Sequence, residues 1–346
     1  MDIAQPIPSP GLSEASEHDA AGRHGDAFNT LKQAAAAGDL PAMTELGHRL
    51  LTGYRAPKMV DHALSLLTAA ARGGDGRALA RMAALTAAGA YVPQDWAAAL
   101  HMLALGAAAG DAGARGQLLS LHPVSPEQVE DWPALAARIS VQDWLSPAPV
   151  SALHAKVHRV SKLAPASVCR WLIGRARGRL ERARVYDSVT RSEMVHEMRT
   201  NTAANYDYAS LDVVQFLVQA RMARSCGQRL QQLEAPMILH YDVGEQITPH
   251  FDFIDSNAVD YEQQIREQGQ RIITFLLYLN DDYAGGETTF PLLGLANRGS
   301  PGDGLFFINS HADRAPDRDM LHTGSPPTAG EKWIVSQFVR DIALRP

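Results

Sequence analysis

The sequence predicts an α+β fold, in which an all-α helical-repeat domain precedes a C-terminal double-stranded β-helix (jelly roll) with flanking helices. Two observations predict this order. An Ala-rich repeat occupies the first third of the chain, and runs of β-branched and aromatic residues dominate the last third. Strands that follow helices without βα alternation are typical of α+β proteins. We therefore divide the chain into a tail, a repeat domain, a linker and a C-terminal domain: residues 1–25, 26–122, 123–160 and 161–346.

Composition narrows the functional classes. The chain has 346 residues, a formal net charge of −6 and 46% hydrophobic residues, which is typical of a globular protein and predicts no nucleic-acid partner. There is no run of about 18 apolar residues, so we expect no membrane partner. Two scattered cysteines, Cys169 and Cys226, do not form a disulfide framework. They favour a cytoplasmic location.

The first 25 residues are rich in Ala, Ser, Pro, Gly and acidic residues and contain no apolar stretch typical of a secretory signal. A segment of this composition buries too little apolar surface to offset the entropy of ordering. We therefore expect a mobile tail over residues 1–25.

A repeat with a period of 36 residues defines the helical domain. The pair Gly-Asp begins at Gly38, Gly74 and Gly110, and small or apolar residues recur at matching offsets around each pair. Glycine can end a helix in the left-handed conformation, and aspartate can cap the start of the next helix. A period of this length is the signature of stacked helical hairpins.

The repeat resembles the Sel-type, tetratricopeptide-like family over roughly residues 26–121. The resemblance implies a face that binds a protein or peptide. A domain that only packs, without a ligand, fits the pattern equally well, because helical repeats form stacking cores in either case. Residues 123–160, which contain five prolines, read as a linker.

The C-terminal domain alternates strand-like runs with turn clusters. Residues 236–241, 271–280, 304–309 and 332–340 are rich in β-branched, aromatic and Leu residues. A jelly-roll barrel fits these strands, and its mouth is a suitable place for a ligand. The polar segment 254–270 interrupts the pattern, and we interpret it as a flap over that mouth.

Two histidines and a carboxylate suggest a metal site in this domain. Residues i and i+2 of a strand point to the same side, so His250 and Asp252 can reach one ion while Phe251 turns into the core. His322 is the candidate for the third ligand, from a distant strand. Two imidazoles and one carboxylate form the facial triad of non-heme Fe(II) oxygenases. The same donors also hold catalytic Zn²⁺ in hydrolases.

A wider set of motifs resembles the catalytic domain of prolyl 4-hydroxylase-type 2-oxoglutarate oxygenases, over roughly residues 160–344. The motifs occur in the family's order: Tyr241-x-x-Gly244-Glu245 with His250-x-Asp252, Arg271-x-x-Thr274-x-x-x-Tyr278-Leu279-Asn280, Gly285-Gly286-Glu287-Thr288-x-Phe290-Pro291, Gly304-x-x-Phe307-x-Asn309, His322-x-Gly324-x-Pro326 and Gly330-x-Lys332-Trp333. The sequence departs from the family at Glu245, Ile247 and Ser325, which puts the shape of the substrate pocket in doubt rather than the chemistry.

The resemblance implies a role for each site residue. His250, Asp252 and His322 would be the Fe(II) ligands, and Lys332 would bind the distal carboxylate of 2-oxoglutarate. Tyr241, Tyr278 and Thr288 would donate hydrogen bonds to the same cosubstrate. The implied reaction uses O₂, releases succinate and CO₂, and hydroxylates an unactivated C–H bond. L-ascorbate would be the reductant.

The resemblance favours a prolyl or other residue of a protein or peptide as the substrate, which the repeats could hold. Hydroxylation of a free amino acid or another small molecule is the alternative. A zinc hydrolase leaves Lys332 and the tyrosines unexplained. A non-catalytic repeat scaffold leaves the complete ligand set unexplained.

Overall fold

The computed structural model describes residues 9–344 except 188–191, 195–197, 257–260 and 312; of 185–187 and 192–194 it describes the backbone alone. The chain forms two compact units, described here separately. The first comprises residues 1–141 and 209–216, and the second comprises residues 142–208 and 217–346. Among the described residues, no helix is long and apolar enough to cross a bilayer.

The first unit is all-helical. Its helices are α1 Pro10–Ala20, α2 His24–Ala36, α3 Leu40–Thr52, α4 Val60–Arg72, α5 Gly76–Ala88, α6 Trp96–Ala108, α7 Ala112–Leu121 and α8 Trp132–Ala137. Leu31, Leu50 and Leu67, from α2, α3 and α4, meet in one buried cluster. The all-α part of the fold prediction is therefore confirmed.

The repeat positions have the predicted capping roles. The carboxylates of Asp39, Asp75 and Asp111 each accept a hydrogen bond from the backbone N–H three residues later, at 3.0, 2.8 and 2.6 Å. The preceding glycines have φ angles of 91°, 89° and 95°, a region that residues with a Cβ rarely adopt. The 36-residue period therefore marks the point where one helix ends and the next begins.

The tail expected over residues 1–25 is corrected for residues 10–20, which form α1. The Ser9 side chain caps this helix by accepting from the Leu12 N–H at 3.4 Å. Ala15 is 1% exposed and belongs to the same buried cluster as Leu31. Leu12 packs against the same cluster, and Asp19 at the end of the helix forms an ion pair with Arg49. Residues 1–8 lie outside the described residues.

The linker expected over residues 123–160 is also corrected, because this stretch contributes to both units. After α8 come α9 Val141–Leu145, β1 Val150–His154 and β2 Val157–Val160. Strand β2 buries Val157 and Val160, at 1% and 0% exposure, and pairs with a strand of the large sheet described next. The prolines that suggested a linker all lie before β1, and none of them falls inside a strand.

The second unit is built on β-sheets flanked by helices. Its other helices are α10 Ala166–Arg177, α11 Val213–Ser225, which begins in the first unit, and α12 Tyr261–Gln268. The remaining strands are β3 Glu181–Arg182, β4 Val185–Asp187, β5 Ser192–Met194, β6 Thr202–Asn205, β7 Met237–Tyr241, β8 Ile247–His250, β9 Arg271–Tyr278, β10 Ala284–Gly285, β11 Thr288–Phe290, β12 Leu295–Asn297, β13 Gly304–Ile308, β14 His322–Gly324, β15 Pro327–Ala329 and β16 Lys332–Arg340. Short 3-10 turns lie at Pro126–Gln128, Leu230–Gln232, Pro291–Leu293 and Arg318–Met320.

Two antiparallel sheets face each other across the core. The large sheet has the order β1-β2-β13-β9-β16-β7-β6-β3, and the small sheet has the order β12-β11-β14-β8. Phe290 of the small sheet meets Phe307 of the large sheet edge to face, with ring centroids 5.0 Å apart. The core between the sheets confirms the predicted jelly-roll architecture.

The polar segment after the first predicted ligands is clamped at its two ends. The Ile254 N–H donates to Gln270 Oε1 at 2.8 Å, and Gln270 Nε2 donates to the Ile254 carbonyl at 2.9 Å. Between these residues lies α12, while residues 257–260 are outside the described part of the chain. The segment thus contains a helix and has two fixed ends. The interpretation of residues 254–270 as a flap stays a prediction.

The turn before β16 gives a prediction about stability. Gly330 has a φ of 71°, and a Cβ there would lie 2.3 Å from the Asp282 carbonyl oxygen. Gly294 has a φ of 63° but open space around it. A side chain at positive φ costs roughly 1–2 kcal/mol, and crowding adds roughly 1–3 kcal/mol. We expect Gly330→Ala to destabilise the protein clearly more than Gly294→Ala in chemical denaturation. Equal losses would contradict the close approach.

Candidate metal centre

Two strands of the small sheet bring two histidines together. His250 ends β8 and His322 begins β14, and the two are directly opposed in the antiparallel register. Their ring centroids are 4.3 Å apart. Because residues directly opposite in an antiparallel pair lie close together, the pairing of β8 with β14 brings the two imidazoles side by side.

The predicted carboxylate joins this pair. Asp252 Oδ2 lies 3.1 Å from His322 Nε2, and Asp252 Oδ1 lies 3.5 Å from His250 Nε2. One ligand atom from each of the three residues falls within 4.8 Å of the others. Asp252, however, lies beyond the end of β8, and Phe251 lines the cavity next to the site. Strand alternation therefore does not account for the position of the carboxylate, and the expectation that Phe251 enters the core is wrong.

Backbone carbonyls orient both imidazoles. His250 Nδ1 donates to the Thr248 carbonyl at 2.9 Å, and His322 Nδ1 donates to the Met320 carbonyl at 3.0 Å. A proton on Nδ1 leaves Nε2 as the lone-pair donor. Both Nε2 atoms thus face Asp252 in the tautomer that a metal needs.

The buried charges favour an ionised carboxylate. Burial by itself would raise the pKa of Asp252, but the charge and hydrogen bond of His322, together with those of His250, hold this pKa well below its usual range. Burial would lower the pKa of His322, and the Asp252 carboxylate outweighs it and raises this pKa. The ionised carboxylate thus stabilises a positive charge at the imidazoles, and a bound cation would take the place of the proton that Asp252 favours on His322.

The donor set fits a first-row divalent metal. Two imidazole nitrogens and one carboxylate oxygen, all on one side of an open cavity, match the facial arrangement that non-heme Fe(II) sites use, with their other positions open. His250, Asp252 and His322 would hold such an ion.

A buried lysine lies in the wall of the same cavity. Lys332 is 0% exposed, and its ammonium has no hydrogen-bond partner among the described residues. It lies 4.9 Å from the centroid of the Tyr241 ring. Burial lowers the pKa of Lys332 from 10.5 to about 8, against the opposing charge of Glu287. A buried ammonium without a partner is costly, so this position suits an anionic ligand.

One cavity of about 820 Å³ joins these groups. The three candidate ligands and Lys332 line it, together with Tyr241 and Thr288. Tyr278, also predicted to contact the cosubstrate, does not line it. The Tyr278 hydroxyl donates to Thr288 Oγ1 at 3.2 Å and accepts from Asn297 at 3.0 Å. Tyr278 is thus placed to orient Thr288.

Sequence reasoning assigned no role to two residues that support the site. Thr274 Oγ1 donates to Asp252 Oδ2 at 2.7 Å, and Asn309 Nδ2 donates to Thr274 Oγ1 at 2.8 Å. Both are 1% exposed. The sequence did contain one indication of the role of Thr274, which is a threonine inside the apolar run of residues 272–277. A polar residue at a buried strand position needs a hydrogen-bond partner.

A second group of potential ligands lies on β7 and the turn after it, at His240, Asp242 and Glu245. The His240 ring is already engaged, with Thr202 Oγ1 at 3.1 Å and Glu331 Oε2 at 3.0 Å. Both ring nitrogens of His240 thus have partners already, and this group does not suit a metal.

The geometry predicts that His322→Ala weakens metal binding. Removal of one of three donors should lower the affinity for Co(II) by more than the roughly 10–100-fold typical of outer-shell changes. Isothermal titration with Co(II) measures this. His311→Ala is the matched control, because the His311 side chain is 51% exposed and does not line the cavity. Equal affinities for the two variants would contradict the assignment of His322.

Comparison with known proteins agrees with this geometry. Residues 236–340 match the model of the 2OG-Fe(II) oxygenase superfamily. The chain is 30% identical over 189 residues to the probable prolyl 4-hydroxylase 7 of Arabidopsis thaliana, covering 49% of this chain and 58% of that protein. It is 30% identical over 169 residues to the prolyl 4-hydroxylase subunit alpha-1 of Rattus norvegicus, covering 48% and 31%. The chain thus spans only part of these relatives.

Two solved structures are also similar. A viral collagen prolyl hydroxylase from Paramecium Bursaria Chlorella virus-1 shares 20% identity at a TM-score of 0.42, over 54% of this chain and 97% of that one. A Sel1 repeat protein from Oxalobacter formigenes shares 33% identity at a TM-score of 0.24, over 26% of this chain and 67% of that one.

The matched span of residues 236–340 contains all three candidate ligands and Lys332. The family that the sequence motifs resemble is therefore also the family of the matching model and of the similar relatives. Residues 236–340 are thus similar to the 2OG-Fe(II) oxygenase superfamily, and the relatives that this part of the chain resembles are prolyl 4-hydroxylases.

Proposed function

We propose that the protein is an Fe(II)- and 2-oxoglutarate-dependent dioxygenase that hydroxylates an unactivated C–H bond in a polypeptide, with release of succinate and CO₂. One observation carries the proposal. A facial set of two imidazoles and a carboxylate shares a cavity with a fully buried ammonium that has no partner among the described groups. A zinc hydrolase would use the two imidazoles and the carboxylate, but it would have no role for the buried ammonium of Lys332.

Each group of the cavity has a task in this proposal. His250, Asp252 and His322 hold the metal, which together with 2-oxoglutarate and O₂ supplies the oxidising chemistry when bound. Lys332 binds the distal carboxylate of the cosubstrate. Tyr241 and Thr288, which line the same wall, orient it by hydrogen bonds. L-ascorbate is the reductant that we expect the enzyme to use.

The buried ammonium explains how a dianion can bind in an apolar wall. Lys332 is fully buried beside the Tyr241 ring, where an unpaired carboxylate would be strongly disfavoured. Bringing the two charges together offsets the desolvation of each. Binding of the diacid also raises the pKa of Lys332 again and so keeps the lysine protonated.

The cavity is large enough to hold part of a substrate as well as the cosubstrate. Its volume of about 820 Å³ lies in the upper part of the range of about 300–1,000 Å³ for pockets that hold drug-sized ligands. It extends from the metal ligands to Arg184, Met198 and Gln263. The names of the relatives favour a prolyl residue. We also propose that the helical repeats bind the polypeptide or a partner protein. A free amino acid or other small molecule remains the alternative substrate.

The test is turnover with defined substrates. We expect anaerobically loaded Fe(II) protein to release succinate from 2-oxoglutarate once O₂ is admitted, faster with proline-containing peptides than without. Mass spectrometry should find one added oxygen atom on the peptide. His322→Ala should lose this activity while its circular dichroism is unchanged, and His311→Ala should keep it. Oxygen addition to free L-proline but to no peptide would favour the alternative.

The buried lysine predicts how cosubstrate binding depends on pH. The pKa of Lys332 is lowered to about 8, so the free enzyme holds its ammonium below that pH and loses it above. The KM for 2-oxoglutarate should therefore be flat below pH 8 and rise above it, approaching tenfold per pH unit. Succinate formation at varied 2-oxoglutarate and pH measures this.

Two variants control the pH test. Lys332→Arg should remove the rise, because a guanidinium stays protonated throughout this range. Lys32→Met removes an exposed lysine of α2 and should leave the pH profile unchanged. A rise that persists in Lys332→Arg would contradict the role of Lys332.

A further inference from the structure

The position of Asp252 depends on a contact between the two sheets. Asp252 follows β8 of the small sheet, past the last residue of that strand, so no ladder hydrogen bond fixes its backbone register. Its Oδ2 instead accepts a 2.7 Å hydrogen bond from Thr274 Oγ1, on β9 of the large sheet. The carboxylate is thus attached through its side chain to the opposite wall of the cavity.

A second residue fixes the direction of this hydrogen bond. Asn309, directly after β13, donates from Nδ2 to Thr274 Oγ1 at 2.8 Å. The threonine hydroxyl has a single proton, and an ionised carboxylate can only accept. The Asn309 amide N–H therefore donates a hydrogen bond to the threonine oxygen, and the threonine O–H donates its own hydrogen bond to Asp252. The reverse order would place two acceptors against each other.

The surroundings keep these hydrogen bonds in place. Thr274 and Asn309 are both 1% exposed, so water does not compete for their polar groups. Their strands are paired, with Phe307 opposite Thr274 and Ile308 opposite Ile273. The Asn309 N–H also donates to the Ile272 carbonyl at 2.8 Å. The threonine and the asparagine are thus held by the large sheet itself.

We propose that Thr274, oriented by Asn309, is a positioning residue that engages one carboxylate oxygen of Asp252 and leaves the other to bind the metal. This inference rests on the proposed metal centre. A carboxylate free to turn could bind through both oxygens and occupy a coordination position that the cosubstrate or O₂ requires. The Thr274 bond opposes that mode by giving Oδ2 another partner, although His322 Nε2 also lies near Oδ2, at 3.1 Å.

Metal binding tests the proposal without turnover. Thr274→Val keeps the shape of the side chain and removes the donor, so its Co(II) affinity should fall by about 10–100-fold, as for other outer-shell changes. The visible absorption of bound Co(II), which reports coordination geometry, should change as well. Thr274→Ser keeps the hydroxyl and should restore both properties. Thr289→Val, on β11 outside the cavity lining, should behave like the wild type.

A double-mutant cycle tests the role of Asn309. Asn309→Leu should weaken Co(II) binding in the presence of Thr274. In the Thr274→Val background it should have little further effect, because the hydroxyl through which it acts is gone. Melting temperatures of the metal-free variants show whether each one folds. If Thr274→Val does not fold, the comparison of Asn309→Leu with wild type decides the question by itself.

Two results would overturn the proposal, and they differ from each other. Wild-type Co(II) affinity and absorption in Thr274→Val or Asn309→Leu would refute the positioning role while leaving the metal centre intact. Failure of the wild-type protein to bind Co(II) at all would refute the metal centre and the positioning role with it.

Discussion

The cross-strand pair of His250 and His322 is the constraint on which the rest of the site depends. The two residues are 72 positions apart in sequence, and only the antiparallel register of β8 and β14 makes them neighbours. A slip of one residue would turn one imidazole to the other face of the sheet. The Phe307 and Phe290 rings pack close to His322, so the core between the sheets also fixes the position of this ring.

Two buried charges of opposite sign divide the cavity into two regions. Asp252, surrounded by donors, stays ionised and suits a cation. Lys332, fully enclosed and without a hydrogen-bond partner in the described part of the chain, suits an anion. A ligand that chelates a metal at one end and carries a carboxylate at the other satisfies both. The charge pattern of the cavity thus matches 2-oxoglutarate in the proposed reaction.

Much of the fold and of the site could be predicted from the sequence, because spacing encodes them. The 36-residue Gly-Asp period predicted the helix boundaries, and the ordered motifs predicted that His250, Asp252, His322 and Lys332 lie around one cavity. Composition misled at residues 10–20 and 150–160, where a few buried side chains, among them Ala15, Val157 and Val160, hold ordered elements in place. The role of Thr274 could not be predicted, since its contact with Asp252 joins different sheets and depends on their packing.

The central claim is that one cavity holds a metal and a diacid together. Anaerobic calorimetric titration with 2-oxoglutarate, in the presence and absence of Fe(II), tests this claim most directly. The account predicts a single site with much tighter binding in the presence of the metal, and loss of most of this affinity in Lys332→Met. Equal affinity with and without Fe(II), or wild-type binding in Lys332→Met, would contradict it.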